Sequence, residues 1–422
     1  MSTSTHPSPS ELGDLIDPLS PEQLENPYPL YQRIRSEEPV VYNAKHDVWF
    51  VTRHVDCLQA LRDHDSFSTR TVFFPSSPWP PEVQAELDKG YSWYYLLSNN
   101  DPPDHGPLRR AVQTAFTNRE SAGLERGARV IANELVDQFA ADGQCELFEQ
   151  FAFRFPALVI VSVLGVPRED MEQLNKWGDD WLMLFSDSTP TEQLVEAAKG
   201  YVAFQNYFKQ AFEAREREPR DDLLTGILQA LKTEKTGLTI DDIVNVPINL
   251  MTAGHATGAL LMLATMRFLQ QNPDQLEAVK ADMSLIPNAV EESLRLEPSV
   301  HGIFRTTLRE VEIAGTTIPK DSRVLLVYGS ANHDETAFVN AESFDLFRPD
   351  VAGHLGFGKG THFCPGASLA RLEQQVAFET LLGRLPNLRM QQGVEEVRFV
   401  HFWLRGMQTL HLEWDLPALP AT

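Results

Sequence analysis

The chain has 422 residues, of which 42% are hydrophobic and 23% charged, as is ordinary for a globular protein with a large core. Its formal net charge of −23 argues against nucleic acid as a partner, because phosphate backbones are bound by basic surfaces. The 3 cysteines give no disulfide framework, which suits a reducing, cytoplasmic compartment. We see neither a secretory signal nor a run of about 20 apolar residues, so we expect no membrane anchor.

The N-terminal part of the chain begins with residues 1–18, which are rich in Ser, Thr and Pro and predict a flexible tail. Alternating apolar residues on either side of a turn at 45–47 predict a small β-hairpin. Between 66 and 100, aromatic residues are interspersed with prolines, which exclude one long helix. Such a segment is either a small core beneath a loop or the wall of an apolar pocket.

Residues 101–110 read D-P-P-D-H-G-P-L-R-R and place His105 and Arg109 four positions apart. On a helix these two side chains share a face and can bind an anion together. Alone the pair is weak evidence, because a surface histidine beside an arginine is common. From about 119 to 235 the pattern is mostly helical, and we recognise no motif of catalytic or ligand-binding residues in it.

A long apolar helix is predicted from Thr239 to Gln271, with Thr239 as its N-cap. A helix that is apolar on all sides is buried, so we expect it to cross the centre of the domain. Residues 253–258 read A-G-H-A-T-G, in which small residues let a planar group approach the backbone and Thr257 offers a hydroxyl. The alternative is a close crossing of two helices built from the same small residues.

Downstream, Glu292 and Arg295 are spaced for an ion pair along one helix, to which we assign a structural role. Patterns typical of short strands follow between 298 and 328. A late hairpin is predicted from Val397 to Trp414.

Residues 357–366 read F-G-K-G-T-H-F-C-P-G and set Cys364 among glycines, just before an amphipathic helix. The positive end of a helix and nearby backbone N–H groups both stabilise a thiolate. Such a thiolate can be a nucleophile, a zinc ligand or a ligand of heme iron. Zinc would need partner ligands, and Cys57 and Cys145 are remote; a nucleophile would need a base. Heme ligation fits best, and a buried structural cysteine is the plain alternative.

The segment resembles the heme-binding signature of the cytochrome P450 family, F-x-x-G-x-H-x-C-x-G. Its fixed positions are occupied by Phe357, Gly360, His362, Cys364 and Gly366. The His–Arg segment, the small-residue segment of the long helix and the Glu–Arg pair resemble three further motifs of that family, in the same order along the chain.

The resemblance covers nearly the whole chain and implies a mainly α fold with small β-sheets (α+β), in which 19–422 form a single heme domain. It implies heme b as cofactor, with Cys364 as the iron ligand. It also implies a monomeric, cytoplasmic monooxygenase of the soluble bacterial type, which acts on a small molecule and takes electrons from NAD(P)H through a separate ferredoxin and reductase. The residues assigned to heme binding are His105, Arg109, Arg305, Phe357, Gly358, His362, Cys364 and Gly366.

The resemblance assigns Ala253, Gly254 and Thr257 to the groove in which dioxygen is activated. The family pattern has an acid beside this threonine that helps to relay protons, but this chain has Ala256 there. His255 is adjacent, yet neighbours in a helix point about 100° apart, so it is no simple replacement. Two alternatives therefore stay open: a peroxygenase that uses hydrogen peroxide, and a heme–thiolate protein that binds or senses a ligand without turnover.

The family also buries its Glu–Arg pair as a clamp beneath the heme, with a third member from a later segment. Ser343 stands at the matching place in this chain, and Arg348 is the candidate to serve instead. Neither the pair nor this third member is expected to be catalytic.

The substrate is expected to be small to medium in size and mostly hydrophobic, and to undergo hydroxylation or O-dealkylation. The sequence identifies neither the substrate nor the carbon oxidised. Arg110, Lys359 and Arg371 are candidates for a basic patch that binds the ferredoxin, although ordinary surface charge explains each equally well. The residues assigned to the substrate pocket are Phe74, Trp93, Tyr94, Met183, Leu250, Ala253, Val300, His301, Ile303, Phe402 and Trp403.

Overall fold

The computed structural model describes residues 10–72, 78–92, 97–117, 121–185 and 189–416. The α-helices are α1 (Glu11–Asp14), α2 (Pro21–Glu25), α3 (Tyr28–Glu37), α4 (His54–Arg62), α5 (Pro81–Leu87), α6 (His105–Thr117), α7 (Ser121–Asp137), α8 (Arg154–Leu164), α9 (Met171–Met183), α10 (Thr191–Arg217), α11 (Leu223–Glu234), α12 (Ile240–Ile243), α13 (Asn245–Gln271), α14 (Pro273–Ala281), α15 (Ile286–Leu296), α16 (Tyr328–Ala331) and α17 (Ala367–Arg384). The strands are β1 (Val40–Asn43), β2 (Val48–Val51), β3 (Phe67–Ser68), β4 (Gln144–Glu146), β5 (Ile303–Thr307), β6 (Val311–Ile313), β7 (Thr316–Ile318), β8 (Arg323–Leu326), β9 (Arg389–Met390) and β10 (His411–Glu413). Helices dominate and the sheets are small, as the sequence predicts.

Several helix boundaries follow from side chains that satisfy free backbone groups at the helix ends. Asp222 accepts a hydrogen bond from the N–H of Thr225 at 2.8 Å and begins α11. Thr239 and Asp242 form a reciprocal capping box at the start of α12. Gly165 ends α8 with a φ of 73°, a left-handed conformation that glycine adopts without strain.

The long apolar helix begins after Thr239 and ends at Gln271 as predicted, but it is not continuous. It divides at Val244 into α12 and α13. Pro247 explains the break, because proline has no N–H and its ring clashes with the carbonyl four residues earlier, here that of Ile243. With 27 residues, α13 is roughly 40 Å long at about 1.5 Å per residue.

Helix α13 lies at the centre of the main apolar core. It packs against α8, α9, α10, α15 and α17, and residues on most of its sides are buried. By length and composition, α12 and α13 together could cross a membrane, but most of their apolar stretch is buried inside the protein. The core helix of a soluble protein has the same character, so this helix is no evidence for a membrane span.

The largest sheet has the strand order β1-β2-β8-β5-β3. Strands β1 and β2 form the predicted antiparallel hairpin, β8 joins β2 in parallel, and β5 pairs antiparallel with β8. Alternate residues face two apolar clusters, with Val51 and Leu326 on one side and Phe50 and Leu325 on the other. Burial on both faces explains why these strands read as unbroken apolar runs.

The two other sheets are β4-β10-β9 and the hairpin β6-β7. The predicted late hairpin is only partly correct. Its arms meet at a bridge between Arg398 and Met407, but β10 leaves it to pair with β4 and β9. Leu404, near its tip, pairs with Val300 instead of extending into solvent. The tip therefore folds back onto the chain that leads into β5.

A buried ion cluster ties α15 to the segment 339–348. Glu292 accepts hydrogen bonds from Arg295 at 2.8 Å and from Arg348 at 2.9 and 3.0 Å. All three side chains are buried. Arg295 also donates to the carbonyl of Ala341, while the carbonyl of Ser343 accepts from both arginines. Arg348 thus supplies the third side chain of the cluster.

We expect Arg348→Ala to lower the free energy of unfolding by about 3 kcal/mol, because it leaves a buried carboxylate under-compensated. Urea unfolding followed by circular dichroism measures the change. The matched control is Arg33→Ala, which removes an exposed ion pair with Glu37 and should leave the midpoint unchanged. Equal shifts for the two variants would contradict a buried clamp.

Candidate functional site

A cavity of about 320 Å³ lies between α13, the start of β5 and the loop that precedes α17. Most of its lining is apolar. It brings together residues from motifs that are far apart in sequence: Cys364 from the loop, Thr257 from α13, Arg109 from α6 and Arg305 from β5. A mostly apolar cavity with a few convergent polar groups is the usual form of a small-molecule site.

The loop before α17 holds Cys364 through its backbone. The N–H of Cys364 donates to the carbonyl of Phe357 at 2.9 Å and closes the loop. Gly358 and Gly360 have φ values of 68° and 72°, which favour glycine. A Cβ on Gly360 would also lie 2.7 Å from the carbonyl oxygen of Leu61. The sulfur therefore has a fixed place at the start of α17.

Burial raises the pKa of the Cys364 thiol, and this is the largest influence on it. The backbone N–H groups of Gly366 and Ala367 and the guanidinium groups of Arg109 and Arg371 lower that pKa. The N–H groups at the helix start thus stabilise the thiolate, as the sequence predicts, but burial opposes them. A bound metal ion deprotonates a coordinating thiol outright. The site suits a sulfur ligand for a buried cation better than it suits a free nucleophile.

Basic side chains collect at one edge of the cavity. Arg109, Arg305 and His362 line it, and the ring of His105 lies against that of His362 with centroids 4.1 Å apart. Burial lowers the pKa of Arg109 and of Arg305. Burial, followed by the charge of Arg109, lowers the pKa of His105 to about 4. Cations gathered in a buried place indicate a site for an anion.

The basic edge of the cavity also carries hydrogen-bond donors that have no partner in the described part of the protein. We can therefore ask whether the carboxylates of heme b would satisfy them. Neither ring nitrogen of His105 has a partner among the described residues. Arg305 donates one hydrogen bond to the carbonyl of Phe304 at 2.7 Å and has further N–H groups to offer. A planar apolar ligand with two carboxylates would satisfy these donors, while a metal at its centre would meet Cys364. The residues present fit heme b.

Helix α13 contributes a face of small and polar residues. Ala253, Ala256 and Thr257 line the cavity. Apart from the adjacent residues and backbone of α13 itself, no atom of the described residues lies within 4 Å of where a Cβ on Gly254 would stand, so the helix surface is open there. The hydroxyl of Thr257 donates to the carbonyl of Ala253 at 2.7 Å. The three residues predicted for the oxygen groove thus lie together on an open helix surface beside the cavity.

Two side chains from other elements support the backbone of α13 at this point. The hydroxyl of Ser299 donates to the carbonyl of Thr257 at 2.9 Å. The amide of Gln374 donates to the carbonyl of Gly258 at 2.9 Å. The sequence did not single out either contact, because each joins segments that are remote along the chain.

The cavity also contains an acid that the sequence analysis missed. Ala256 leaves α13 without one, and His255 is turned away, with Nε2 2.8 Å from the carbonyl of Phe153. Among the described residues that line the cavity, Glu373 of α17 is the only carboxylic acid. Burial raises its pKa well above the ordinary value, which favours the protonated form of the carboxyl group. Its Oε2 lies 3.8 Å from where a Cβ on Gly258 would stand.

The residues predicted for the substrate pocket divide into three groups. One group lines the cavity: Leu250, Ala253, Val300, Ile303 and Trp403. A second group lies outside the described residues: Phe74, Trp93 and Tyr94. The third group does not line the cavity: Met183, His301 and Phe402.

Met183 is the last residue of α9 and packs against the main core, while Trp181 and Leu182 line the cavity. The sequence placed the contact one or two residues too late along this helix. His301 is buried between two aromatic rings, 6.1 Å from Tyr28 and 5.6 Å from Tyr31. Its ring does not line the cavity, so the structure lends no support to the hydrogen bond to substrate that the sequence suggested.

Phe402 packs against Phe304, with ring centroids 5.9 Å apart, on the far side of the sheet. Consecutive residues of each segment reach the cavity, Ser299 with Val300 and Trp403 with Leu404, and the lining stops at the next residue. Val300 lines the cavity and His301 does not; Trp403 lines it and Phe402 does not.

The cations predicted for partner binding already have local partners. Arg110 and Arg371 form ion pairs with Glu234 and Glu291, at 2.9 and 2.6 Å. Lys359 donates to a backbone carbonyl at 3.1 Å. Their charges are therefore partly neutralised, and these side chains alone do not make a strong basic patch.

Comparisons with known proteins agree with this geometry. The family model described as Cytochrome P450 matches residues 48–409. The chain is 35% identical over 393 residues to Cytochrome P450 107B1 of Saccharopolyspora erythraea, over 90% of this chain and 93% of that protein. It is 32% identical to 6-deoxyerythronolide B hydroxylase of the same organism, over 92% and 96%. The solved P450 heme domain of Tepidiphilus thermophilus superposes with a TM-score of 0.89 at 28% identity, over 96% of this chain and 97% of that one.

We expect Arg109→Ala to reduce the fraction of purified protein that retains heme, because it removes a half-buried cation from the anion-binding edge. The ratio of heme to protein absorbance after incubation with a heme-scavenging globin measures this loss. The matched control is Arg110→Ala, the exposed neighbour paired with Glu234, which should retain heme as the original chain does. Equal retention in both variants would contradict the assignment of Arg109.

Proposed function

Because this chain belongs to the cytochrome P450 family, it binds heme b and is a monooxygenase, and we propose that it hydroxylates or O-dealkylates a small to medium, mostly hydrophobic substrate. Electrons would come from NAD(P)H through a separate ferredoxin and reductase. The observation that carries the proposal is one mostly apolar cavity that contains both Cys364 and the Thr257 face of α13. Both relatives named above cover nearly the whole chain, and one is named a hydroxylase.

In this proposal Cys364 holds the iron, and His105, Arg109, Arg305 and His362 bind the propionates. When bound, heme b supplies the redox chemistry that activates dioxygen and oxidises a C–H bond. The chain supplies binding and orientation: the apolar lining excludes water and holds the substrate, and the small residues of α13 leave room for dioxygen. A C–H bond held within reach is oxidised in preference to others on the same molecule.

The chain must also deliver protons to this cavity. The hydroxyl of Thr257 can donate to a water or to dioxygen when it releases the carbonyl of Ala253. The family's acid is absent at Ala256, so we infer that Glu373 is the nearby proton source. A protonated carboxylic acid has an O–H that can be donated, and burial favours that protonated form in Glu373.

We expect Ala256→Glu to raise the share of NAD(P)H electrons that end in product severalfold and to lower hydrogen peroxide release. It places an acid beside Thr257, as in the family pattern. The measurement compares NAD(P)H consumed, product formed and peroxide released by the reconstituted enzyme. If all three stay unchanged, the proton relay does not pass through position 256.

We expect Glu373→Gln to lower severalfold the share of NAD(P)H electrons that end in product. Glutamine keeps the size and polarity of the side chain but has no acidic proton to donate. In the Ala256→Glu background the loss should be smaller, since a second acid is then available. A purely structural role for Glu373 would give equal losses in both backgrounds. Heme content and the carbon monoxide spectrum of each variant provide the control for folding.

A second candidate, a peroxygenase, is favoured by Ala256 alone. A third, a ligand-binding heme–thiolate protein, has no specific observation in its favour. Turnover assays separate the three: product with ferredoxin, reductase and NAD(P)H; product with hydrogen peroxide only; or none with either. The first result supports the proposal, and each of the others overturns it.

The substrate for those assays should be chosen by titrating the ferric protein with terpenes, methoxyaromatics, fatty acids and macrolides. A blue shift of the Soret band marks a compound that fills the cavity. The relevant control is Cys364→Ser, in which the thiolate-type carbon monoxide spectrum should be lost.

A further inference from the structure

One polar side chain in the cavity is not used by the proposed chemistry. Asn249 of α13 is only 6% exposed and lines the cavity. It stands eight residues before Thr257, which at about 1.5 Å per residue places it roughly 12 Å further along the helix. Thr252, Ala253 and Ala256 lie between them and also line the cavity. The lining face of α13 thus runs from Asn249 to the proposed oxygen groove.

The amide of Asn249 is poorly satisfied by the protein. Its Oδ1 accepts a hydrogen bond from the hydroxyl of Ser98 at 3.4 Å, which is long for such a bond. Among the described residues its Nδ2 has no acceptor, although this nitrogen carries two N–H groups. A donor left without an acceptor in an apolar cavity costs free energy. The amide is therefore available to a ligand.

The other polar side chains on this face of α13 have already used their hydrogens. The hydroxyl of Thr252 donates to the carbonyl of Ile248 at 2.6 Å, and that of Thr257 donates to the carbonyl of Ala253. Asn249 is left as the residue of α13 with a free donor in the cavity, within the described part of the chain.

Asn245, one turn earlier on α13, is an asparagine with a structural role and serves as a comparison for Asn249. Its Oδ1 accepts hydrogen bonds from Tyr201 and Gln205, both at 2.8 Å, and its Nδ2 donates to the carbonyl of Ser92 at 2.6 Å. Every polar atom of that side chain has a protein partner. Asn249 differs in having one weak partner and a free amide in a cavity.

We propose that Asn249 donates a hydrogen bond to a carbonyl or hydroxyl oxygen of the substrate, at the end of the molecule remote from the carbon that is oxidised. This inference rests on the proposed function and narrows its substrate class. The substrate would be an extended, mainly apolar molecule with an acceptor oxygen roughly 12 Å from the site of oxidation. A short monoterpene hydrocarbon would leave Asn249 unpaired and is disfavoured.

The test uses the holoenzyme and two probes of the same shape: methyl nonyl ketone, and the alkene in which a methylene group replaces its carbonyl oxygen. Binding is measured by Soret titration and by calorimetry, so no turnover is needed. The original chain should bind the ketone roughly fivefold more tightly than the alkene. In Asn249→Leu, which has a similar side-chain volume, this preference should disappear while the alkene still binds.

Two further variants keep the result interpretable. Asn249→Gln keeps a donor and should restore part of the ketone preference. Ser98→Ala removes only the bond to Oδ1 and should keep the preference, because the proposed donor is Nδ2. The heme content of each variant shows that it folds.

The inference is overturned if the ratio of ketone to alkene affinity is the same in the original chain and in Asn249→Leu, or if neither probe binds. Failure of the proposed function looks different: the probes bind with the expected preference, but ferredoxin, reductase and NAD(P)H give no product. Where product forms, oxidation should fall near the end of the chain remote from the carbonyl, and Asn249→Leu should spread it over other carbons.

Discussion

The site depends on one constraint: a thiol must be buried and still be available to a cation. Burial raises the pKa of Cys364, and a cation bound to the sulfur would offset that cost and stabilise the thiolate. Its position is fixed by the loop backbone, through the hydrogen bond to Phe357 and the close approach of Gly360 to Leu61. Everything else in the cavity is arranged around that sulfur: a basic edge for the anionic side of the cofactor, and an apolar wall for the substrate.

The cavity therefore has a positively charged edge and a neutral wall, although the protein as a whole is strongly acidic. At the basic edge, the half-buried Arg109 and the buried Arg305 are cations with N–H groups free for a ligand, and they favour an anion. Along α13 the polar groups are neutral, and Asn249 and Thr257 act as hydrogen-bond donors or acceptors. The basic edge therefore favours the anionic groups of the cofactor, and the neutral wall favours an uncharged substrate. A charged substrate would lose its hydration at that wall and gain no ion pair there.

Features that depend on a few consecutive residues could be predicted from the sequence: the Cys364 loop, the β1–β2 hairpin and the limits of the long helix. Pro247, the cause of the break at Val244, is a local signal of the same kind, although the sequence analysis predicts one continuous helix. Contacts between remote segments could not be predicted, and the sequence around Asn249 carries no motif that would single it out. Glu373 did leave a signal, as an acid four positions after Leu369 on the apolar side of α17. The segment around His301 reaches the cavity at Ser299, Val300 and Ile303, but the histidine ring lies against Tyr28 and Tyr31, far away in sequence.

Helix α13 serves the core on one side and the cavity on another. Its cavity side has small residues such as Ala253 and Ala256, whereas its core side has larger ones such as Met262 and Leu263. Changes on the first side alter the space open to a ligand, and changes on the second alter packing. Mutational drift can therefore act on the two sides almost independently. Descendants of this protein could acquire new substrates through substitutions on one helix face without a large loss of stability.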